Sequence, residues 1–314
     1  MTATDELTAV IDRLGALAER DADLAPLTTY KVGGRAAALV RAETSAVLGA
    51  VGAAIAGAPI PVLVIGRGSN LLVHDDGFAG VAIVLGAGFE AVDITGTRVV
   101  AGGAASLPVV ARRTAAASLT GFEWAVGVPG SMGGAVAMNA GGHGSDMAET
   151  VVGVDTVDLR SGEEAHRGPD SLAFGYRRSA IGPAEVVVAV TVELAVGDRA
   201  RAEAEIAEIV RWRREHQPGG HNAGSVFVNP SGDSAGRLIE AAGCKGLRLG
   251  TAEVSPKHAN FIQADDGGRA ADVHALMGEV RSRVREHAGV TLRAETRLVG
   301  FPDPHDESPE EHTP

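Results

Sequence analysis

Cysteine is nearly absent: Cys244 is the only one in 314 residues. A lone cysteine excludes an intramolecular disulfide, thiolate zinc sites and iron–sulfur clusters, all of which need several sulfur ligands. Within LIEAAGCKG, beside a helix end, Cys244 reads as a small filler rather than a nucleophile. Aromatic residues are scarce at 4%, while glycine reaches 42 residues. With abundant alanine, this composition points to closely packed backbone. Basic charge is also in deficit. The formal net charge of -12 argues against general affinity for nucleic acid. No uninterrupted apolar run is long enough to span a bilayer. The opening MTATDELTAVIDRL has neither the basic start nor the apolar core of a signal peptide, so the expected location is the cytoplasm. Ten histidines show no HExxH-type spacing, and no metal site is expected.

What is present describes a globular chain with 45% hydrophobic and 22% charged residues, long enough for two or three domains. Helical periods appear at Leu7, Val10, Ile11, Leu14 and Leu17, and at Val47, Leu48, Val51 and Ile55 behind Thr44, an N-cap residue type. They recur over 203–214 and at Val273, Leu276, Met277, Val280 and Val284, with Gly289 as the stop. Strand signals occupy 61–66, 80–85, 151–159, 185–194, 258–264 and 291–301. QPGGHNAG (217–224) marks a seam between a glycine- and strand-rich region and a smaller α+β segment. A cleft between such subdomains is the usual place for a ligand. The tail PDPHDESPEEHTP (302–314) lacks apolar periodicity and is expected to be disordered.

Two uncharged glycine segments stand out. GVPGSMGGAVAMNAGG (127–142) holds six glycines in sixteen residues, and VLVIGRGSNLLV (62–73) runs from a strand into a tight turn. Loops of this kind let a pyrophosphate approach backbone N–H groups. They do not form a Rossmann fingerprint, because the third glycine is missing and Leu71, Leu72 and Val73 read as strand rather than helix. Val128, Met132, Val136 and Met138 are spaced for partial burial, which argues against a linker. Arg67 and Asn139 are candidate polar anchors. Composition alone leaves open FAD, NADP or a UDP-sugar, and GRGSN taken alone fits an ordinary turn equally well.

Eight segments together resemble one family in order and spacing. They are TTYKVGG (28–34), GRGSNLLV (66–73), GFEWAVGVPGSMGGAVAMNAGG (121–142), FGYRRS (174–179), NAGSVFVNP (222–230), AGRLIEAAGCKG (235–246), KHANFI (257–262) and ETRLVGF (295–301). The family is UDP-N-acetylenolpyruvoylglucosamine reductase, and the resemblance covers roughly residues 7–301. It implies an α+β protein with an FAD-binding fold of the p-cresol methylhydroxylase type in two subdomains, 1–88 and 89–214. A smaller α+β substrate-binding domain would follow at 215–301. The reaction implied is NADPH-dependent, FAD-mediated reduction of the enolpyruvyl ether of UDP-N-acetylglucosamine to UDP-N-acetylmuramate for peptidoglycan. The implied partners are that UDP-sugar and NADPH, with no nucleic acid and no membrane.

By this resemblance, non-covalent FAD is held by Gly66, Arg67, Gly68, Ser69, Asn70 and Leu71 in the first segment. The second would contribute Gly127, Val128, Pro129, Gly130, Ser131, Gly133 and Gly134, then Asn139, Ala140, Gly141, Gly142 and Gly144. Arg177 resembles the arginine that binds the substrate carboxylate through two hydrogen bonds, with Arg178 as its neighbouring rival. Ser225 resembles the proton donor, and Glu295 the carboxylate that works with Arg177. Tyr176, Arg213, Asn229, Lys257 and His258 are candidates for substrate contact. Two departures stand out. Val228 occupies a position where lysine is common, and Tyr30 and Tyr176 are the only tyrosines. The chain therefore resembles the shorter second type of the family, without a tyrosine loop over the substrate. Two other readings fit the glycine segments: a flavoprotein of the same fold acting on an alcohol or hydroxy acid, and a non-catalytic nucleotide-sugar binding module.

Overall fold

The structure, a computed structural model, describes residues 2–301, so the tail expected to be disordered lies outside the described residues. The chain opens with a capping box: the Thr2 hydroxyl accepts from the Asp5 amide, and the Asp5 carboxylate accepts from the Thr2 amide. It starts the helix Ala3–Leu14, which buries Val10, Ile11 and Leu14. The apolar stripe expected to reach Leu17 stops earlier. Gly15 turns the backbone to φ 52°, and Leu17 falls in a short 3-10 turn, 41% exposed.

Four strands form the first sheet, in the order Ala18–Asp23, Arg35–Ala42, Phe78–Leu85, Val62–Ile65. The first pair is antiparallel and the others are parallel. The inner strands are mostly apolar, with only Arg35 and Arg41 exposed on the first of them, because both faces are covered. The helices Ala3–Leu14 and Ser45–Ile55 pack on one face, the latter begun by Thr44, whose hydroxyl accepts from the Val47 amide. Leu24, Leu39, Leu63 and Ile65 fill the other face with Val73 and Val299.

A second, fully antiparallel sheet runs Glu164–Arg167, Val151–Asp158, Glu185–Glu193, Arg98–Gly102, Val92–Thr95. The helices Leu107–Ala116, Met132–Met138 and Arg199–His216 share its core, in which Val190, Leu107, Met132 and Ile206 meet. The third region packs the helices Ala235–Ala241 and Ala270–Ala288 on a small sheet of Arg248–Leu249, Ala252–Val254 and Ile262–Ala264. Gly289, at φ 67°, ends the longer helix in the left-handed conformation.

Two contacts tie this third region to the segment that links two strands of the first sheet, residues 71–75. The Asp75 carboxylate accepts from the Ala270 and Ala271 amides at 2.9 and 3.0 Å. The last strand, Arg297–Val299, pairs in parallel with Leu71–Val73. That pairing brings Glu295 beside the first glycine segment. Two expected strands are shorter than the sequence pattern suggests. Over 258–264 only Ile262–Ala264 is strand, because the His258 carbonyl accepts from the Phe261 amide and closes a turn. Over 291–301 only Arg297–Val299 is regular, since Glu295 and Thr296 both donate to the Val226 carbonyl and break the ladder. Among the described residues no helix is long and apolar enough to cross a membrane.

Candidate active site

The first glycine segment is shaped by close backbone contact. Gly68 has φ 61°, and a Cβ there would stand 2.1 Å from the Leu27 carbonyl oxygen. The Thr29 amide donates to the Gly68 carbonyl at 3.1 Å and holds the turn down. A Cβ on Gly66 would come within 2.6 Å of Ser131 Oγ, so the two glycine segments touch. Among the described residues the amides of Arg67, Gly68, Ser69 and Asn70 donate to no backbone or side-chain acceptor.

The second segment is not only a loop. It contains the helix Met132–Met138, begun by Ser131, whose hydroxyl accepts from the Gly134 amide at 3.4 Å, and ended by Asn139 at φ 39°. Glycine's poor helix propensity is overridden because Met132, Ala135 and Val136 are buried, while Gly133 lies against Gly103 and Val187.

Between the segments opens a cleft of about 330 Å³. Of the residues expected at the cofactor, Gly66–Leu71, Gly127–Ser131, Gly134, Ala140 and Gly141 line it. Arg177, Arg213, Ser225 and Glu295 line it as well. Val64, Ile65, Leu107, Ala135 and Met138 give it an apolar wall. The charge balance is one-sided: Arg67, Arg177, Arg213 and Arg297 face a single carboxylate, Glu295. In a protein of net charge -12, that local excess favours phosphate-bearing ligands.

Arg177 and Glu295 form an ion pair, Nε to Oε1 at 2.8 Å, with side chains 24% and 15% exposed. Burial pushes the Glu295 carboxyl above the ordinary glutamate range, against the opposing pull of Arg177. The rest of the Arg177 guanidinium donates to the carbonyls of Gly141 and Asn139 at 3.0 and 3.5 Å. Asn70 fixes Glu295 from the other side. Its side-chain amide donates to the Glu295 carbonyl at 3.0 Å, and its own carbonyl accepts from the Arg297 amide. Ser225 follows Gly224, which has φ 76°. The next residue, Val226, accepts from the Glu295 amide at 2.8 Å, so Ser225 and Glu295 lie on adjoining, hydrogen-bonded backbone. Asn260 secures that backbone by bonding both the amide and the carbonyl of Phe227. Arg213 is held by Gln217 at 2.8 Å, and burial lowers its pKa.

Several expected site residues lie elsewhere, each for a visible reason. Gly133 faces the sheet, and Asn139 is buried, its side chain making three hydrogen bonds within the protein. Gly142 and Gly144 belong to a small hairpin beyond the cleft. Tyr176 is 57% exposed, outside the cleft wall, with the Arg177 guanidinium over its ring. The Asn229 side chain accepts from the Ala235 amide. Lys257 donates to the Arg214 carbonyl at the end of the long helix, and His258 packs edge-on against Phe261. Arg178 is exposed and lines no part of the cleft.

The cleft also contains residues that the sequence reading omitted: Gln217, Asn222, Phe261 and Arg297. Two carried a signal. Arg297 lies two residues from Glu295, the spacing of one strand face, and Gln217 lies one helical turn beyond Arg213.

Comparison with known proteins agrees with this geometry. Residues 36–167, which include both glycine segments, match the family described as FAD binding domain. Residues 216–299, which include Ser225 and Glu295, match UDP-N-acetylenolpyruvoylglucosamine reductase, C-terminal domain. The UDP-N-acetylenolpyruvoylglucosamine reductase of Rubrobacter xylanophilus is 42% identical over 93% of this chain and 98% of its own length. That of Paramagnetospirillum magneticum is 42% identical over 90% and 91% respectively. The solved UDP-N-acetylenolpyruvylglucosamine reductase of Thermus caldophilus superimposes with a TM-score of 0.78 at 36% identity, covering 90% of this chain and 98% of that one. The cleft fits the cofactor that these matches require: unpaired amides and Arg67 for the pyrophosphate, glycines where a Cβ has no room, and an apolar wall for the ring. The chain belongs to the UDP-N-acetylenolpyruvoylglucosamine reductase family and is an FAD-containing oxidoreductase.

Proposed function

We propose that this protein uses NADPH to reduce the enolpyruvyl ether of UDP-N-acetylglucosamine, giving UDP-N-acetylmuramate and NADP⁺. The observation that carries the reading is the Arg177–Glu295 pair and Ser225 on one cleft with the glycine cradle. When bound, FAD carries the hydride from NADPH to the methylene carbon of the substrate.

The protein's own residues provide for the rest of the reaction. Hydride addition at the methylene carbon sends the double-bond electrons toward the substrate carboxylate. Arg177 is placed to take that carboxylate with two parallel hydrogen bonds that strengthen as charge grows. Glu295, already bonded to Arg177, holds the guanidinium in position. The neighbouring carbon then needs a proton. A serine hydroxyl is a weak acid, but it is sufficient for so basic a centre, and Ser225 is the hydroxyl at hand. Solvent reprotonates Ser225, so each turnover consumes one hydride and one proton. Arg213 and Arg297 are placed for the diphosphate of the nucleotide sugar. In this reading residues 1–88 and 89–214 hold FAD and residues 215–301 complete the substrate site. The reaction is assigned to the cytoplasm, where NADPH and UDP-sugars are found.

The test is an anaerobic titration of the purified yellow protein. NADPH should bleach the flavin absorbance, and the enolpyruvyl UDP-sugar should restore it in stoichiometric amount. Bleaching without recovery would point to another acceptor, and a colourless protein unable to take up FAD would overturn the reading.

A further inference from the structure

The mechanism above makes no use of Asn139, which is 3% exposed although it lies in the second glycine segment. Its side chain turns away from the cleft toward the loop that carries Arg177. The amide nitrogen Nδ2 donates to the Gly175 carbonyl at 3.1 Å and to Asp146 Oδ2 at 3.1 Å, while Oδ1 accepts from the Ala148 amide at 3.0 Å. Both amide hydrogens and one lone pair of Oδ1 are thus engaged within the protein.

Gly175 is the base of a tight turn. Its carbonyl accepts from the Arg178 amide at 3.1 Å, and its amide donates to the Arg178 carbonyl at 3.0 Å. Tyr176 and Arg177 form the tip, and Arg177 is left-handed at φ 55°. A non-glycine residue in that region is strained and persists only where its surroundings hold it. Asn139 supplies that hold twice. Its side chain pins the base of the turn, and its backbone carbonyl, with that of Gly141, receives the guanidinium. Ser179, which donates to the Ala137 carbonyl at 2.9 Å, adds a second tie between turn and helix end. Asn139 is itself left-handed, a conformation asparagine tolerates better than most residues.

We propose that Asn139 is a positioning residue for Arg177: it locks the Gly175–Arg178 turn to the end of the helix Met132–Met138 and so aims the guanidinium at the substrate carboxylate. The proposal rests on the functional reading above, in which Arg177 binds that carboxylate. It separates the two halves of the reaction. Flavin reduction by NADPH does not call on the aim of Arg177, whereas reduction of the enolpyruvyl substrate does.

The experiment compares Asn139→Gly with Asp146→Ala and Arg177→Ala in the FAD-loaded enzyme, following each half-reaction by stopped-flow absorbance. Glycine keeps the left-handed backbone and removes only the amide. Asn139→Gly should retain flavin, be reduced by NADPH at the normal rate, and be reoxidised by the enolpyruvyl UDP-sugar about 10²-fold more slowly, the usual effect of misplacing a reacting partner by about 1 Å. Asp146→Ala, which spares the bond to Gly175, should be reoxidised at the normal rate. Asn139→Asp, nearly isosteric but without the donor to Gly175, should reproduce the slow reoxidation if the glycine variant fails to fold. Normal reoxidation in the Asn139 variants, or equal slowing of both halves with loss of flavin, would overturn the proposal. Normal reoxidation in Arg177→Ala would instead sink the functional reading on which it rests.

Discussion

Replacing Gly68 by alanine tests the cradle at its tightest point. Two costs can be read from the structure. The backbone stands at φ 61°, where an alanine Cβ costs about 1–2 kcal/mol. The new methyl would also lie 2.1 Å from the Leu27 carbonyl oxygen and 2.7 Å from Thr28 Cα. Both are backbone atoms, so relief requires the turn itself to shift, at about 1–3 kcal/mol by analogy with overpacked cores. The total of about 2–5 kcal/mol falls on a loop that lines the cleft and whose amides, those proposed to hold FAD, have no acceptor among the described residues. Carried wholly by binding, the lower end weakens FAD about 30-fold, since each 1.4 kcal/mol is tenfold. The assay is the flavin-to-protein absorbance ratio after gel filtration, followed by fluorescence titration of the apoprotein with FAD. Gly278→Ala is the control. Gly278 lies on the exposed side of the helix Ala270–Ala288 with no atom within 4 Å of a built Cβ. Alanine there should stabilise the fold by up to about 1 kcal/mol and leave flavin content unchanged. An FAD affinity in Gly68→Ala equal to that of the parent protein would refute the reasoning.

Other consequences follow from the same geometry. Arg167 and Glu185 are an ion pair at 2.8 Å with side chains 18% and 12% exposed, at the base of the loop that carries Arg177. Arg167→Ala should destabilise the fold by about 3–5 kcal/mol, measured by chemical denaturation, because Glu185 is left buried and unpaired. Burial alone would raise the Glu185 pKa, but the Gly182 amide and the Arg167 guanidinium outweigh it and hold the carboxyl below the usual range. Its stabilising contribution is therefore present above the unfolded glutamate pKa of about 4.3 and lost as pH falls through the lower, folded value. Arg167→Ala should remove that part of the acid sensitivity. Glu295 has the opposite sign: burial raises its pKa, so its carboxylate protonates on acidification before an ordinary glutamate does. Substrate-dependent flavin reoxidation should fall along that limb of the pH profile, and Glu295→Gln should flatten the limb. Lys257→Ala should leave the KM for the UDP-sugar unchanged, because its ammonium caps the Arg214 carbonyl, whereas Arg213→Ala should raise that KM.

The legible part of this fold was the part governed by local period and cap chemistry. Thr44, Gly289 and the apolar stripes of 47–55 and 273–284 lie where their side chains require. The illegible part was decided by distant neighbours. The helix Met132–Met138 forms through its caps Ser131 and Asn139 and through burial despite its glycines, a result that composition conceals. The last strand is shortened by hydrogen bonds to Val226, far along the chain, whereas the one before it gives way to a local turn between His258 and Phe261. Similar limits applied at the site. Arg177, Ser225 and Glu295 stand in motifs that resemble the family's, but their spacing of 48 and 70 residues contains no geometric signal. Their meeting depends on the pairing of Arg297–Val299 with Leu71–Val73, which no local pattern announces. Conversely, Asn139 and Lys257 have side chains of the right chemistry for ligand contact, yet the fold uses both to fasten backbone.

The central claim is that Ser225 supplies the proton that completes substrate reduction, and Ser225→Ala tests it most directly. Stopped-flow absorbance of the FAD-loaded variant separates the two halves of the reaction. Bleaching by NADPH should proceed at the normal rate, because hydride delivery to the ring needs no acid at the substrate carbon. Recovery on adding the enolpyruvyl UDP-sugar should slow by about 10²–10⁴-fold, the usual loss on removing a positioned acid. Substrate affinity should change little, since one hydroxyl contributes only about 0.5–1.5 kcal/mol of net hydrogen bonding. Recovery at the normal rate, or equal slowing of both halves, would contradict the account.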